Sequence, residues 1–283
     1  MIRTFPRAIL AAVLVTAMPA LAAAQQRPLV TEDPEVVGPG QVLLELGVDQ
    51  LWEQRYPATG LEGTLLRAPT FSISIGLGIA ELQIDGAVFQ RLQVKDRFDA
   101  PLAGSLEFDG DRTSSIADTV IGTKIRLMSE APGRPALGVR FATKLPNASN
   151  ENGLGLDTTD FYASVLLAKT IQSMRIVGNA GLGILGDATR GDEQDDVVTY
   201  GLSVARALTQ GSEVVGEING RVRLDDDDLA PGTQSSAIAR GGLRFTKGPV
   251  RIDGALILGL LDDDPKFGVT AGLTWVFNAF TIQ

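Results

Sequence analysis

The 283-residue chain contains neither cysteine nor histidine. Without cysteine, a disulfide framework and thiol chemistry are both excluded. Without histidine, the chain lacks the commonest general base and the commonest metal ligand. These absences argue against hydrolases that use a histidine base, and they leave a Ser–Lys pair or an Asp-only site as the enzymatic alternative. We therefore predict no enzymatic activity and no cofactor.

Long apolar runs are also missing, because no stretch of about 18 apolar residues occurs beyond Ala24. Residues Met1–Ala24 instead have the pattern of an export signal. Arg3 and Arg7 precede the apolar run Ala8–Ala17, and small residues lead up to Ala24. We predict a signal peptide over residues 1–24, cleavage near Ala24 and export through the periplasm.

Positive charge is the minor sign, since the formal net charge is −9. It becomes −11 once Arg3 and Arg7 are removed with the signal peptide. A protein that binds nucleic acid needs a basic surface, so nucleic acid is not an expected partner.

The mature chain consists mainly of segments in which apolar residues alternate with small or polar ones. In Phe267–Phe277, for example, Leu273 and Trp275 alternate with Gly272 and Thr274. This period of two indicates β-strands, each close to the roughly 9–11 residues that a tilted strand needs to cross a bilayer. The twelve predicted strands are Gln41–Glu53, Pro69–Ile79, Glu81–Arg91, Ile116–Ser129, Pro135–Lys144, Asp160–Lys169, Ser173–Leu185, Thr199–Ala207, Ser212–Val222, Ser235–Phe245, Val250–Leu260 and Phe267–Phe277.

The links between these strands alternate in length. Odd-numbered strands are followed by long polar links, such as Gln54–Ala68, and even-numbered strands by short ones, such as Ala80. This order is typical of an up-and-down barrel with short periplasmic turns and long outer loops. We predict an all-β, transmembrane, antiparallel up-and-down β-barrel of about twelve strands over residues 41–283, after an extended lead-in at residues 25–40. A soluble β-sandwich is the alternative.

If the apolar faces meet lipid, the other faces line the lumen. A charge on the lipid face would cost roughly 2–4 kcal/mol at the bilayer midplane for Arg or Lys, which supports this assignment. A lumen with more bases than acids would favour anions, whereas charges paired across strands would pack it shut. The lead-in is also able to fold inside as a plug. The candidate lumen-lining residues are Lys124, Arg126, Arg140, Lys144, Arg221, Arg240, Arg244, Arg251, Glu45, Asp49 and Asp85.

Acidic clusters mark several predicted outer loops, among them Asp225–Asp228 and Asp262–Asp264. Carboxylates at this density are able to bind Ca²⁺, or to bridge through divalent ions to lipopolysaccharide. The alternative is that they are solvated loop tips. The aromatic ending at Leu273, Trp275 and Phe277 further predicts recognition by the barrel-assembly machinery.

Several motifs resemble those of a known family: RPLVTEDPEVVGPGQVLLELG near the start, DTVIGTKIRL, the strand end at Phe141–Pro146, and the closing RIDGALILGLLDDDPKFGVTAGLTWVF. The family comprises outer-membrane barrels, often described as transporters, that are associated with the meta-pathway of phenol degradation. The resemblance implies a Gram-negative outer-membrane channel for small solutes, such as organic acids or aromatic compounds. It brings no catalytic residues. A structural or adhesive barrel with a packed lumen is the alternative function, and the oligomeric state is not predicted.

Overall fold

A computed structural model describes residues 27–191, 193–224 and 230–281. The predicted signal peptide, the first two residues of the lead-in and the acidic run Asp225–Asp228 lie outside the described residues. Among the described residues, no helix is both long and apolar enough to cross a bilayer.

Fourteen antiparallel strand segments form one sheet, and β14 pairs with β1 to close it into a barrel. The segments are β1 (Gln41–Tyr56), β2 (Leu61–Gly76), β3 (Ala80–Ala87), β4 (Gln90–Arg97), β5 (Arg112–Ser115), β6 (Thr119–Met128), β7 (Ala136–Leu145), β8 (Asp160–Ile171), β9 (Met174–Gly186), β10 (Gln194–Ala207), β11 (Ser212–Arg223), β12 (Ser236–Lys247), β13 (Val250–Gly259) and β14 (Phe267–Asn278).

The fourteen segments make twelve barrel strands. Both β3 and β4 pair with β2, one along Thr70–Gly76 and the other along Leu61–Arg67, so they are a single strand interrupted at Val88 and Phe89. β6 pairs with β3 and β5 pairs with β4, so these two also form one interrupted strand. The predicted twelve-stranded antiparallel barrel is confirmed.

The predicted first link is wrong. β1 continues to Tyr56 and β2 begins at Leu61, so only a four-residue turn remains where the sequence suggested the long link Gln54–Ala68. Charged residues within the region suggested a loop, but Leu61 and Leu65 keep the alternation and are buried. Long–short alternation therefore fails at this link, although long links follow at residues 98–111, 146–159 and 224–235.

The two ends of the barrel are distinguishable. Gln41 and Asn278 lie at the same end, together with short links such as residues 77–79 and 248–249. Short turns are typical of the periplasmic side of such barrels. We call this end periplasmic and the opposite end outer.

The two faces of the sheet differ as a membrane barrel requires. Along β13, Ile252, Leu256 and Leu258 are 53%, 56% and 48% exposed, whereas Arg251 and Asp253 are 5% and 8% exposed. This arrangement, with large apolar side chains outside and charged side chains inside, is the reverse of that in a soluble protein and suits a lipid environment. Closure of the sheet satisfies the backbone hydrogen-bonding groups, as a bilayer requires. The soluble sandwich is therefore excluded.

Aromatic pairs lie near both ends of the lipid-facing surface. Trp52 stacks on Phe267 near the outer end, with ring centroids 5.3 Å apart. Trp275 and Phe277 contact each other near the periplasmic end, with ring centroids 4.5 Å apart. Such aromatic girdles lie at the two membrane interfaces of transmembrane barrels.

Candidate functional site: the lumen and the segment inside it

The N-terminal segment Arg27–Gly40 lies inside the barrel. The Arg27 guanidinium donates to Thr70 on β2 at 3.1 Å and to Thr270 on β14 at 2.7 Å. Across the barrel, the backbone N–H of Thr31 donates to Glu217 on β11 at 2.9 Å. A segment that contacts inward-facing side chains on opposite walls can only lie in the lumen. The sequence analysis allowed for this arrangement, in which the lead-in folds inside the barrel as a plug.

The middle of the segment is fixed by charge. Glu32 accepts from Lys124 at 3.2 Å and pairs with Arg140 at 3.1 Å. Lys124 is fully buried and also pairs with Glu81 at 3.3 Å. A buried ammonium needs such partners, because an uncompensated charge in the interior is strongly destabilising. Asn179 adds a pair of 2.7 Å hydrogen bonds to the backbone of Glu32.

The segment then descends toward the periplasmic end. Asp33 binds the Arg175 guanidinium through both carboxylate oxygens. Glu35 pairs with Arg126 at 2.9 Å. These bidentate and charge-assisted contacts are stronger than neutral hydrogen bonds, so each carboxylate anchors the segment to a different part of the wall.

Arg27 anchors the other end of the segment, about halfway along the barrel. Its backbone carbonyl accepts from Arg244 at 2.8 Å, and its guanidinium lies 3.6 Å from Asp253. The guanidinium packs directly over Gly47 and Gly272, where an added Cβ would overlap it. Glycine at both positions allows this close approach, because a larger residue at either one would displace the side chain of Arg27.

The remaining candidate lumen residues have partners on the wall itself. Arg240 pairs with Glu217 at 2.9 Å, and Lys144 pairs with Asp160 at 2.8 Å. Asp49 accepts from Thr270 at 2.7 Å. The other contacts join Asp85 to Arg140 at 3.5 Å, Arg251 to Glu213 at 3.8 Å and Glu45 to Thr274 at 3.1 Å.

Arg221 differs from the other bases. Its guanidinium donates to the backbone carbonyls of Gln234 at 2.8 Å and Gly232 at 2.7 Å. Both acceptors are neutral and belong to the link after β11. The structure thus brings all eleven candidates to the inner side of the barrel, and their role in solute passage stays a prediction.

Sequence reasoning missed the carboxylates that the segment contributes. Glu32, Asp33 and Glu35 stand in an aperiodic lead-in, so no face could be assigned to them. The available signal was complementarity, because an acidic TEDPE stretch precedes a barrel whose strands carry an inward surplus of bases. Glu81 was also missed, although it shares the face of Asp85 by the period of two.

A cavity of about 930 Å³ lies on the outer side of the segment. Residues Pro28–Glu32 form its floor, and Arg140, Tyr162 and Arg221 belong to its wall. Leu154 and Leu156, from the link after β7, border it near the outer end. The lumen is therefore filled on the periplasmic side and hollow on the outer side.

The outer mouth is narrowed by apolar contacts. Leu154 packs with Leu61 and Leu92 in a buried cluster that joins the link after β7 to the barrel wall. Thr59 donates to the carbonyl of Gly153 at 2.9 Å, which fixes this link over the mouth. The roof of the cavity thus includes apolar groups such as Leu154, beside charged ones such as Arg55 and Asp263.

The predicted acidic loops are partly engaged within the protein. Asp263 pairs with Arg55 at 3.0 Å, and Asp264 accepts from the backbone N–H of Ala237 at 2.9 Å. Asp195 pairs with Arg223 at 3.2 Å. Among the described residues, no group of three or more acidic side chains is arranged to hold a metal ion. The contacts of Asp263 and Asp264 thus hold the link after β13 against its neighbours, whereas Asp195 lies within β10.

Residues 25–277 match the family described as "Putative MetA-pathway of phenol degradation". The chain belongs to this family. The family predicted from the sequence motifs is thereby confirmed. Comparison with curated proteins finds no match.

The fold is similar to that of the COG4313 outer membrane channel from Pseudomonas putida F1, with a TM-score of 0.60 and 14% identity over 87% of this chain and 98% of that chain. The NanC porin gives a TM-score of 0.48 and 11% identity, over 84% of this chain and 100% of that chain. The Pseudomonas putida toluene transporter TodX gives 0.41 and 11%, over 86% and 90%. The closed barrel with an apolar exterior confirms the predicted outer-membrane location, and cleavage near Ala24 stays a prediction.

Proposed function

We propose that this protein is an outer-membrane channel that admits small solutes through a lumen narrowed by its own N-terminal segment. The observation that carries the proposal is the cavity of about 930 Å³, with charged side chains such as Arg140 and Arg221 in its wall, inside a closed barrel with an apolar exterior. A barrel that served only as a membrane anchor would have no need of a hollow half lined by charged side chains.

The segment makes this channel selective. A solute that leaves the cavity toward the periplasm must pass between the segment and the wall, or displace the segment. The predicted surplus of basic charge is offset, because Glu32, Asp33 and Glu35 meet Lys124, Arg126, Arg140 and Arg175. Anion preference therefore does not follow from the total lumen charge, and selectivity must come from individual sites in the cavity.

The first test is the single-channel current of the refolded mature protein in a planar bilayer under a salt gradient. We expect discrete steps much smaller than those of wide porins, because the segment occupies the periplasmic half of the lumen. Correctly folded protein that gives no current, and no swelling of liposomes in small sugars or amino acids, would contradict the proposal.

The second candidate is a structural or adhesive barrel, and the ion-paired segment favours it. The filled periplasmic half is what a packed lumen requires, whereas the hollow outer half is not. Wild-type protein that stays silent, together with a variant lacking the segment carboxylates that also stays silent, would support this candidate. We infer no enzymatic activity, because the chain lacks both histidine and cysteine.

The lipid-facing surface implies partners of a general kind. We propose that lipopolysaccharide covers the outer half of the apolar face and that the barrel-assembly machinery inserts the chain. Extraction of the native protein followed by lipid analysis tests the first point, and depletion of the assembly machinery tests the second.

A further inference from the structure

The register of the sheet places a polar row on the cavity wall. In the register of the sheet, Lys124 on β6 lies directly opposite Arg140 on β7. The row then continues from strand to strand across the barrel. Because each member lies directly beside the next, all share the inward face that the Arg140–Glu32 contact defines. The row from β7 to β12 is Arg140, Ser164, Gly181, Thr199, Arg221 and Ser236.

The centre of this row consists of small residues. Gly181 has no side chain, and the hydroxyls of Ser164 and Thr199 converge on the space above it. Gly183 lies one step toward the outer end and Gly201 one step toward the periplasm, both on the same face. The hydroxyl-bearing Ser164 and Thr199 therefore form the wall surface at this point, and both residues line the cavity.

The two arginines that flank these small residues differ in charge compensation. Arg140 contacts the carboxylates of Glu32 and Asp85. The hydrogen bonds of Arg221 go to two neutral carbonyls, and it makes no ion pair within residues 27–191, 193–224 and 230–281. Carbonyl acceptors fix the orientation of a guanidinium without cancelling its charge. Arg221 is thus a preoriented cation at the cavity wall. Its Nε and one Nη2 hydrogen are used by the carbonyls, and Nη1 with the second Nη2 hydrogen forms the end-on fork that binds a carboxylate in bidentate fashion.

Apolar groups lie beside the Arg221 site. Leu156 packs against Gly232, one of the two residues whose carbonyls orient Arg221. Tyr162 belongs to the same wall, and Leu154 borders the roof. A ligand whose carboxylate reached Arg221 would place the rest of its body against these groups.

We propose that Arg221 and the adjoining wall form a binding site for a small monocarboxylate with an apolar body. The carboxylate lies on the Arg221 guanidinium, the hydroxyls of Ser164 and Thr199 accommodate a second polar group, and the apolar body lies toward Leu156. The proposal rests on the proposed channel function and names the solute class that the cavity selects.

The chain offers a matched control. Arg223 is the next inward position on β11, but it pairs with Asp195 at 3.2 Å and is not among the cavity-lining residues. Arg221→Gln and Arg223→Gln therefore remove the same charge from neighbouring positions of one strand. An electrostatic effect of total charge would be the same for both, whereas a binding site would distinguish them.

The experiment is a calorimetric titration of benzoate into the refolded full-length mature protein in detergent micelles, with benzamide as the neutral isostere. We expect Arg221→Gln to weaken benzoate binding by about tenfold or more, since a charge-assisted bidentate contact is lost. Arg223→Gln should change it less than about twofold, and benzamide should bind the wild type at least about tenfold more weakly than benzoate does.

Equal benzoate binding by wild type and Arg221→Gln would overturn the proposal, and so would equal losses in both variants. Arg221→Lys separates geometry from charge: partial recovery is expected, and full recovery would contradict bidentate recognition. The titration does not depend on conduction. Protein that binds benzoate through Arg221 but does not conduct would therefore contradict the channel function alone. Protein that conducts but binds benzoate equally well without Arg221 would contradict the binding site alone.

Discussion

The two halves of the lumen differ in how they hold inward-facing basic side chains. In the periplasmic half, inward-facing bases such as Lys124 and Arg175 are neutralised by carboxylates from the N-terminal segment, and the space is filled. In the outer half, Arg221 is oriented by backbone carbonyls and faces a cavity. One barrel wall thus supports both a packed and a hollow interior, and the segment makes the difference.

The largest expected effect comes from removing the carboxylates of the segment. Glu32→Gln, Asp33→Asn and Glu35→Gln together should raise the single-channel current several-fold, because four buried or half-buried bases each lose a carboxylate that holds the segment against the wall. The current should also become more anion-selective. The matched control is Asp99→Asn, Asp109→Asn and Asp111→Asn, which makes the same change of charge at three exposed positions of the link after β4.

An unchanged current in the segment variant would show that the segment does not narrow the pathway. An equal rise in the control would attribute the effect to total charge. Either result would remove the contrast between the two halves.

A smaller effect is expected at the Arg27 anchor. Gly272→Leu should displace the Arg27 guanidinium from the wall and produce a noisier, moderately larger current, while the contacts of Glu32, Asp33 and Glu35 persist. Gly178→Leu is the control, because an added Cβ there meets no atom within 4 Å. A current equal to that of the wild type would mean that Arg27 does not restrain the segment.

The smallest effect is expected at Glu130, in the periplasmic link between β6 and β7. Burial acts to raise the pKa of Glu130, but hydrogen bonds from Thr170 and Lys169 outweigh it and lower the pKa from 4.5 to about 2. The stabilisation is therefore present above about pH 4.5 and is lost as the pH falls through 2.

Urea unfolding of wild type and Glu130→Gln in lipid vesicles tests this point. We expect the wild type to be more stable at pH 6 and the difference to shrink below pH 4.5, and to vanish near pH 2. A difference that stayed constant from pH 6 to pH 2 would exclude the ionised carboxylate as its source.

Much of the barrel could be predicted from the sequence, because a strand that faces lipid on one side alternates apolar and polar residues with a period of two. β13 shows this most clearly, since Ile252 and Leu256 alternate with Arg251 and Asp253. The prediction from this period was wrong between β1 and β2. Leu61 and Leu65 keep the alternation there, but they face a buried cluster at the barrel mouth rather than lipid. The polar residues, Pro57 and the glycines in this region suggested a long loop.

The candidate site was less readable. Alternation brought the correct bases to the inner face, but the segment that neutralises them has no period and is positioned only by tertiary contacts. Glu32 meets Lys124 across 92 positions of sequence, which no local pattern encodes. The distinction between Arg140 and Arg221 likewise depends on which acceptors reach each guanidinium.

The most direct test of the account is a cross-link between the segment and the wall. The chain has no cysteine, so Thr31→Cys with Gly201→Cys introduces a unique pair. A Cβ at position 201 would lie 3.5 Å from that of Thr31, within the range of a disulfide. Thr31→Cys with Leu202→Cys is the control, because Leu202 is 52% exposed on the lipid face.

We predict that oxidation cross-links the first pair and not the second. The disulfide should reduce the current below that of the uncross-linked variant, and reduction should restore it. Failure of the first pair to cross-link in folded protein, or cross-linking of both pairs alike, would contradict the central claim that the N-terminal segment lies inside the lumen and narrows the channel.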